Sequence, residues 1–140
     1  MKNKLGLIGN DKNDRIIIFE LLDYIKSHKL DYTNTFYFLM NKEIGSKKEY
    51  QNNKFEDWKI KWQKRLNKDS GELMKRNNPI IIPRNHIVEN VLELAEKNDL
   101  SPFKDFLKAL KNPYTKQKTN IKYQSPPPKS SETYKTFCGT

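Results

Sequence analysis

The feature that most constrains this chain is Asn78-Pro79-Ile80-Ile81-Ile82-Pro83-Arg84-Asn85 and the helical pattern that follows it. Each proline pins its own φ and pushes the preceding residue towards extended backbone, so Asn78 and Ile82 are expected to be non-helical. Past Pro83 the apolar period changes at once. Ile87, Val88, Val91, Leu92 and Ala95 fall on one stripe, which predicts a rigid lead-in to a buried helix. Arg84 and Asn85 stand at its start, where unpaired amides need polar partners. Asn85 is expected to cap the helix and Arg84 to pair with a carboxylate. His86 has neither Cys nor a second His beside it, so the stretch carries no nucleophile or metal set.

The rest of the chain reads as short helices. Asp14 is the expected N-cap of a helix over residues 16–25, whose wide apolar face (Ile16, Ile17, Ile18, Phe19, Leu21, Leu22, Tyr24, Ile25) predicts burial on more than one side. Asp31 or Thr33 starts a second helix through Met40, with Phe36, Leu39 and Met40 on one face. A carboxylate there is favoured by the helix dipole, and no partner base stands nearby, so capping is preferred to acid-base chemistry. Residues 44–53 read as loop, turning at Gly45-Ser46. Phe55, Trp58, Trp62 and Leu66 then repeat at i, i+3, i+7 and i+11, which stacks them on one side of a helix with lysines opposite. Tryptophan interleaved with lysine can also form a stacking platform for single-stranded nucleic acid, but the regular spacing favours a buried face.

Asp69 or Ser70 caps a short helix through Lys75. After the helix that follows Pro83, Asn98 suits a left-handed C-terminal position. Ser101-Pro102 gives an N-cap with proline in the first turn, and Phe103, Phe106, Leu107 and Leu110 are the expected buried face of a helix stopped by Asn112-Pro113. The last two helices should fold back as an αα-hairpin. From Pro113 the composition shifts to Lys, Thr, Ser and Pro, including Pro126-Pro127-Pro128, which predicts an extended tail anchored by single rings at Tyr114, Tyr123, Tyr134 and Phe137. The division expected is a helical segment over residues 1–112 and a tail over 113–140.

Charge narrows the function classes. Lys and Arg number 27 against 17 acids, a formal charge of +10, which invites a polyanion partner. The excess is lysine spread along the chain, with arginine only at Arg15, Arg65, Arg76 and Arg84, whereas specific phosphate and base readout favours clustered arginine. Specific nucleic-acid binding is therefore not expected, although a stand-alone basic helical module remains the alternative class. No apolar run approaches the ~20 residues of a membrane helix. The N-terminal apolar segment is shorter than the ~7–15 residues of a signal-peptide core, so a soluble, cytoplasmic protein is expected. Cys138 is the sole cysteine and has no disulfide partner in this sequence.

Lys4-Leu5-Gly6-Leu7, Asp31-Tyr32-Thr33-Asn34-Thr35-Phe36, residues 58–65, Asn78-Pro79 with Arg84-Asn85, Asn112-Pro113-Tyr114, Pro126-Pro127 and the terminal Cys138-Gly139-Thr140 arrive in an order and spacing that resemble the C-terminal region of the selenoprotein O family. These are protein adenylyltransferases with a protein-kinase-like fold. The resemblance covers nearly the whole chain and implies a mainly α C-terminal segment of that fold with an extended Pro-rich tail. It also implies transfer of AMP from ATP to protein hydroxyls, with magnesium on the phosphates. In the family the ATP and metal motifs lie upstream of the matched region. Gly45 and Gly71 are isolated, and no Asp-Phe-Gly or catalytic-loop pattern is present, so no catalytic, cofactor-binding or metal residue is carried over.

The expected partners are thus an upstream kinase-like core and the full enzyme's protein substrates, and this chain alone is expected not to catalyse. A fragment, a split-gene product and a truncated remnant are the alternatives its start leaves open. Asp31, Thr33, Asn78, Pro79, Arg84, Asn85 and Pro113 are carried as structural motif residues. Cys138 matches a family cysteine implicated in a redox link to the core, although Gly139-Thr140 stands where the family often has two serines. An inert thiol is the other reading of Cys138.

Overall fold

The computed structural model describes residues 1–127, with the backbone alone at 118 and 119. Six α-helices follow one another: α1 Asp14–Ser27, α2 Tyr32–Met40, α3 Asn53–Arg65, α4 Ser70–Asn77, α5 Asn85–Glu96 and α6 Ser101–Leu110. Short 3-10 pieces at Lys2–Leu5, Ile44–Ser46, Lys48–Tyr50 and Lys118–Gln124 join or flank them, and no strand occurs among the described residues.

Two apolar clusters organise the helices. The larger gathers Leu5 and Leu7 from the N-terminal turn, Ile17, Leu21, Tyr24 and Ile25 of α1, Phe36 and Leu39 of α2, Phe55, Trp58 and Trp62 of α3, and Met74 of α4. Side chains of this size stabilise the fold by about 1.5–3 kcal/mol each when fully buried. Trp58 and Trp62, one turn apart on α3, stack at 5.6 Å and 7°. The Trp58 Nε1–H donates to the Ile17 carbonyl and the Trp62 Nε1–H to the Leu5 carbonyl, both at 2.8 Å. These indoles are therefore core with satisfied donors, and neither offers a face for base stacking. The smaller cluster joins Tyr37 to Ile80 and Ile81, Val91 of α5, Phe106 and Ala109 of α6, and Tyr123.

Several local expectations need correction. Asp14 opens α1 without capping it; its carboxylate accepts from Arg65 Nε at 2.8 Å and from Lys2 Nζ at 3.0 Å, a pairing with residues remote in sequence that local signals cannot show. The outer face of α1 is not covered, for Ile16 and Phe19 are more than half exposed. Neither Asp69 nor Ser70 caps α4 with a side-chain bond. Ser70 Oγ reaches back to the Gly6 carbonyl at 2.6 Å instead. Ser101 is the first residue of α6 and Leu100 takes the cap position, with Pro102 in the first turn as expected.

The lead-in to α5 is non-helical, but α5 itself is not a buried helix. Of its stripe only Val91 is buried, Ile87, Val88 and Ala95 are half-buried, and Leu92 faces solvent. On α6, Phe106 and Ala109 are buried while Phe103 and Leu107 are exposed. Helical period fixes which residues share a face; a neighbour must still cover that face. The two helices do form the expected αα-hairpin, and Asn98 takes the left-handed conformation at φ 67°. Beyond Pro113 the backbone includes the 3-10 run Lys118–Gln124, anchored by Tyr123 against Phe106 at 4.9 Å, while Tyr114 is exposed. Tyr134 and Phe137 lie outside the described residues.

Candidate functional site

The residues between α4 and α5 tie three distant parts of the chain together. Asn78, only 1% exposed, closes the exit of α4: its Nδ2 donates to the Lys4 carbonyl at 2.8 Å, and its backbone N–H donates to the Met74 carbonyl at 2.9 Å. Lys4 Nζ returns to the Asn77 carbonyl at 3.0 Å, and burial holds that ammonium below the ordinary lysine value. Pro79 keeps the backbone extended beyond this point. The next two amides, of Ile80 and Ile81, then both donate to the Pro113 carbonyl, at 2.7 and 3.3 Å, so the strand-like run is held at the exit of α6.

The third tie is ionic. Arg84, at the cap position of α5, is 9% exposed and faces α2. Its Nη1 donates to Asp31 Oδ2 at 2.6 Å and its Nη2 to Asp31 Oδ1 at 2.9 Å, a bidentate pair across 53 residues, with Asn34 Oδ1 a further acceptor at 3.3 Å. The same Asp31 caps α2 by accepting from the Asn34 amide at 2.8 Å. Burial raises the Asp31 carboxyl, but the Arg84 hydrogen bonds, the Asn34 amide and the Arg84 charge outweigh it and hold the carboxyl below its ordinary value. Arg84 Nε is buried without a hydrogen-bond partner among the described residues, a cost that tempers the pair's net contribution.

Of the motif residues, the structure therefore joins Asp31 to Arg84 and pins Asn78 and Pro113 to backbone groups. Thr33 sits half-buried in the first turn of α2, where Asp31 does the capping. Asn85 does not cap α5: it is the first helical residue, exposed, and the cap position makes no side-chain hydrogen bond. Residue 84 takes the extended cap geometry, and its side chain is drawn to Asp31 instead. Cys138 lies outside the described residues.

Sequence reasoning missed two other buried polar contacts. One is the Asp14–Arg65–Lys2 cluster, in which burial raises the carboxyl but its three donors pull it below the ordinary value. The other is the Thr35 and Tyr50 hydroxyl pair at 2.7 Å, where burial pushes the Tyr50 phenol up to about 12. A lone acid at a helix start and a lone tyrosine in a loop carry no signal for partners 51 and 15 residues away.

The family model described as Protein adenylyltransferase SelO matches residues 1–111. The chain belongs to the SelO family. The Protein nucleotidyltransferase YdiU of Pelagibacter ubique is 49% identical over 146 aligned residues, which take in 100% of this SelO chain and 30% of that relative. Proteins of the same name from Bacillus mycoides and Clostridium perfringens are 42% and 40% identical over the same shares. This SelO chain thus spans about 30% of the length of the curated relatives it matches.

Neither of the two arginine-paired carboxylates offers free oxygens to a magnesium ion. Both Asp31 oxygens are taken by Arg84, those of Asp14 by Arg65, Lys2 and the Asp11 amide, and no group of three His, Cys, Asp or Glu side chains comes together among the described residues. No described helix is long and apolar enough to cross a membrane.

Proposed function

We propose that this chain is the supporting C-terminal part of a SelO protein adenylyltransferase, the enzyme that moves AMP from ATP to Ser, Thr or Tyr hydroxyls of proteins. The reactive half, a kinase-like core holding ATP and magnesium, belongs to the part of the family polypeptide that this chain does not span. The carrying observation is the end-to-end match to 30% of nucleotidyltransferases that are 40–49% identical. The site geometry supports it: the motif residues spend their hydrogen-bonding capacity on holding helices in place, which is a scaffold's use of such groups.

Nucleotidyl transfer depends on positioning and charge neutralisation, so helices that fix the shape of a core can govern its rate without touching the phosphates. Cys138 is the proposed redox contact to that core, forming a disulfide with a core cysteine by exchange through a small-molecule disulfide, which is reduced to its two thiols. The test incubates labelled ATP, magnesium and acceptor protein with this chain alone, then with the complementary part of the Pelagibacter ubique relative added. AMP transfer is expected only in the second mixture. Metal-dependent transfer by the 140-residue chain alone would refute the reading.

A further inference from the structure

The α5–α6 hairpin leaves large apolar side chains in solvent: Leu92 is 47% exposed, Leu100 50%, Phe103 37% and Leu107 44%. Single exposed hydrophobics are ordinary, but here Phe103 and Leu107 sit one turn apart on α6 and extend the stripe that buries Phe106, as Leu92 extends that of Val91 on α5. Charge also divides across the hairpin: in a chain of formal charge +10, residues 85–99 carry Glu89, Glu93, Glu96 and Asp99 against Lys97 alone, while α6 carries Lys104 and Lys108 against Asp105. Glu93 takes Lys97 at 2.7 Å, and Glu89 and Glu96 stay exposed.

Both ends of the hairpin are fixed, α5 by Arg84 on Asp31 and the exit of α6 by the Pro113 carbonyl on Ile80 and Ile81. A surface held this way pays little ordering entropy on association.

We propose that this apolar face, acidic along α5 and basic along α6, is where the chain docks on the part of the SelO polypeptide that it does not contain, against an apolar patch of complementary charge. The inference rests on the supporting role proposed above. Relatives carry the matching segment and the remaining 70% or so of their length in one chain. Linkage of that kind gives the rest of the polypeptide a high effective concentration at the hairpin, which favours it over a second copy as occupant.

The test titrates the 140-residue chain into the Pelagibacter ubique relative cut to lack the matching segment. The wild-type chain binds, Leu92→Lys with Leu107→Lys weakens binding at least tenfold, and Ile16→Lys with Phe19→Lys on α1 changes it less than twofold. Because the cut relative can fail to fold, a second arm uses the full-length relative carrying this chain in place of its own segment. There the hairpin pair lowers Tm by several degrees while leaving the Tm of the isolated chain unchanged. Retained binding in the hairpin variant, with loss in the α1 variant, overturns the docking face and leaves the supporting role standing. No binding and no change in the chimera's Tm overturn both. A dimer of the isolated chain that Leu107→Lys dissolves assigns the face to a second copy and overturns the proposal.

Discussion

Replacing Arg84 by alanine tests whether one ion pair fastens the C-terminal hairpin to the body of the chain. Arg84 makes two bonds to Asp31, at 2.6 and 2.9 Å, with the guanidinium side chain 7% and the carboxylate side chain 21% exposed. Hydrogen bonds to charged groups contribute about 1.5–3 kcal/mol each, and breaking a buried pair from one side costs about 3–5 kcal/mol. Asp31 is a fifth exposed and keeps its cap bond to the Asn34 amide, and water can enter the vacated space, so the lower end applies. Arg84→Ala should cost about 3 kcal/mol, and Asp31→Asn rather more, because it strands a guanidinium that is better buried than its partner.

With an m-value of about 1–3 kcal/mol per M urea, the unfolding midpoint falls by roughly 1–3 M. The double variant Asp31→Asn/Arg84→Ala leaves no stranded charge and should lose at least about 1 kcal/mol less than the sum of the two single losses. Hydrogen exchange should locate the damage, with amides of residues 85–110 losing protection before those of α1 and α3. A loss under about 0.5 kcal/mol, the scale of solvent-exposed ion pairs in general, would refute the reasoning. So would strict additivity in the double variant.

Further outcomes follow from the same contacts. Asp31 and Asp14 are both held below their ordinary carboxyl value of 3.8, so their stabilisation is complete above that pH and is lost as pH falls through the folded values; urea midpoints measured downward from pH 5 should fall, and less steeply in Arg84→Ala. The Tyr50 phenol, raised to about 12, stays neutral while an unfolded tyrosine ionises near 10, so stability should decline from pH 10 to about 12, and Tyr50→Phe should flatten that decline in alkaline denaturation. Trp62→Phe leaves the Leu5 carbonyl without its indole donor in the core and should cost about 1–3 kcal/mol by urea unfolding, whereas Ile60→Ser on the exposed face of α3 should stay within about 0.5 kcal/mol. Gly6→Ala puts a Cβ at 2.8 Å from the Ser70 carbonyl oxygen with φ at +69°, so both the turn and the α4 contact are strained; a Tm drop of several degrees is expected, and an unchanged Tm would contradict the close approach.

The fold was legible where the deciding physics is local. Helical periods placed α1, α2, α3 and the α5–α6 hairpin, the prolines set the extended run before α5, Asp31 announced the start of α2, and Asn98 marked a left-handed turn. The candidate site was legible in its members but not in its connections. That Arg84 would meet a carboxylate followed from its place at a helix start, but which carboxylate depended on how α2 and α5 pack across 53 residues.

Sequence by itself determined the helices, the faces they share and the family to which the chain is related, because backbone stereochemistry and apolar spacing act within a few residues of each position. Tertiary structure alone decided which of those faces are covered. Leu92, Phe103 and Leu107 carry the same stripe signal as Val91 and Phe106, yet the first three meet solvent and the last two meet Ile80, Ile81 and Tyr123. It also turned Asp14 from a cap into an ion pair and moved Ser70 onto Gly6. Burial is a property of neighbours brought together from distant segments, and no local pattern contains them.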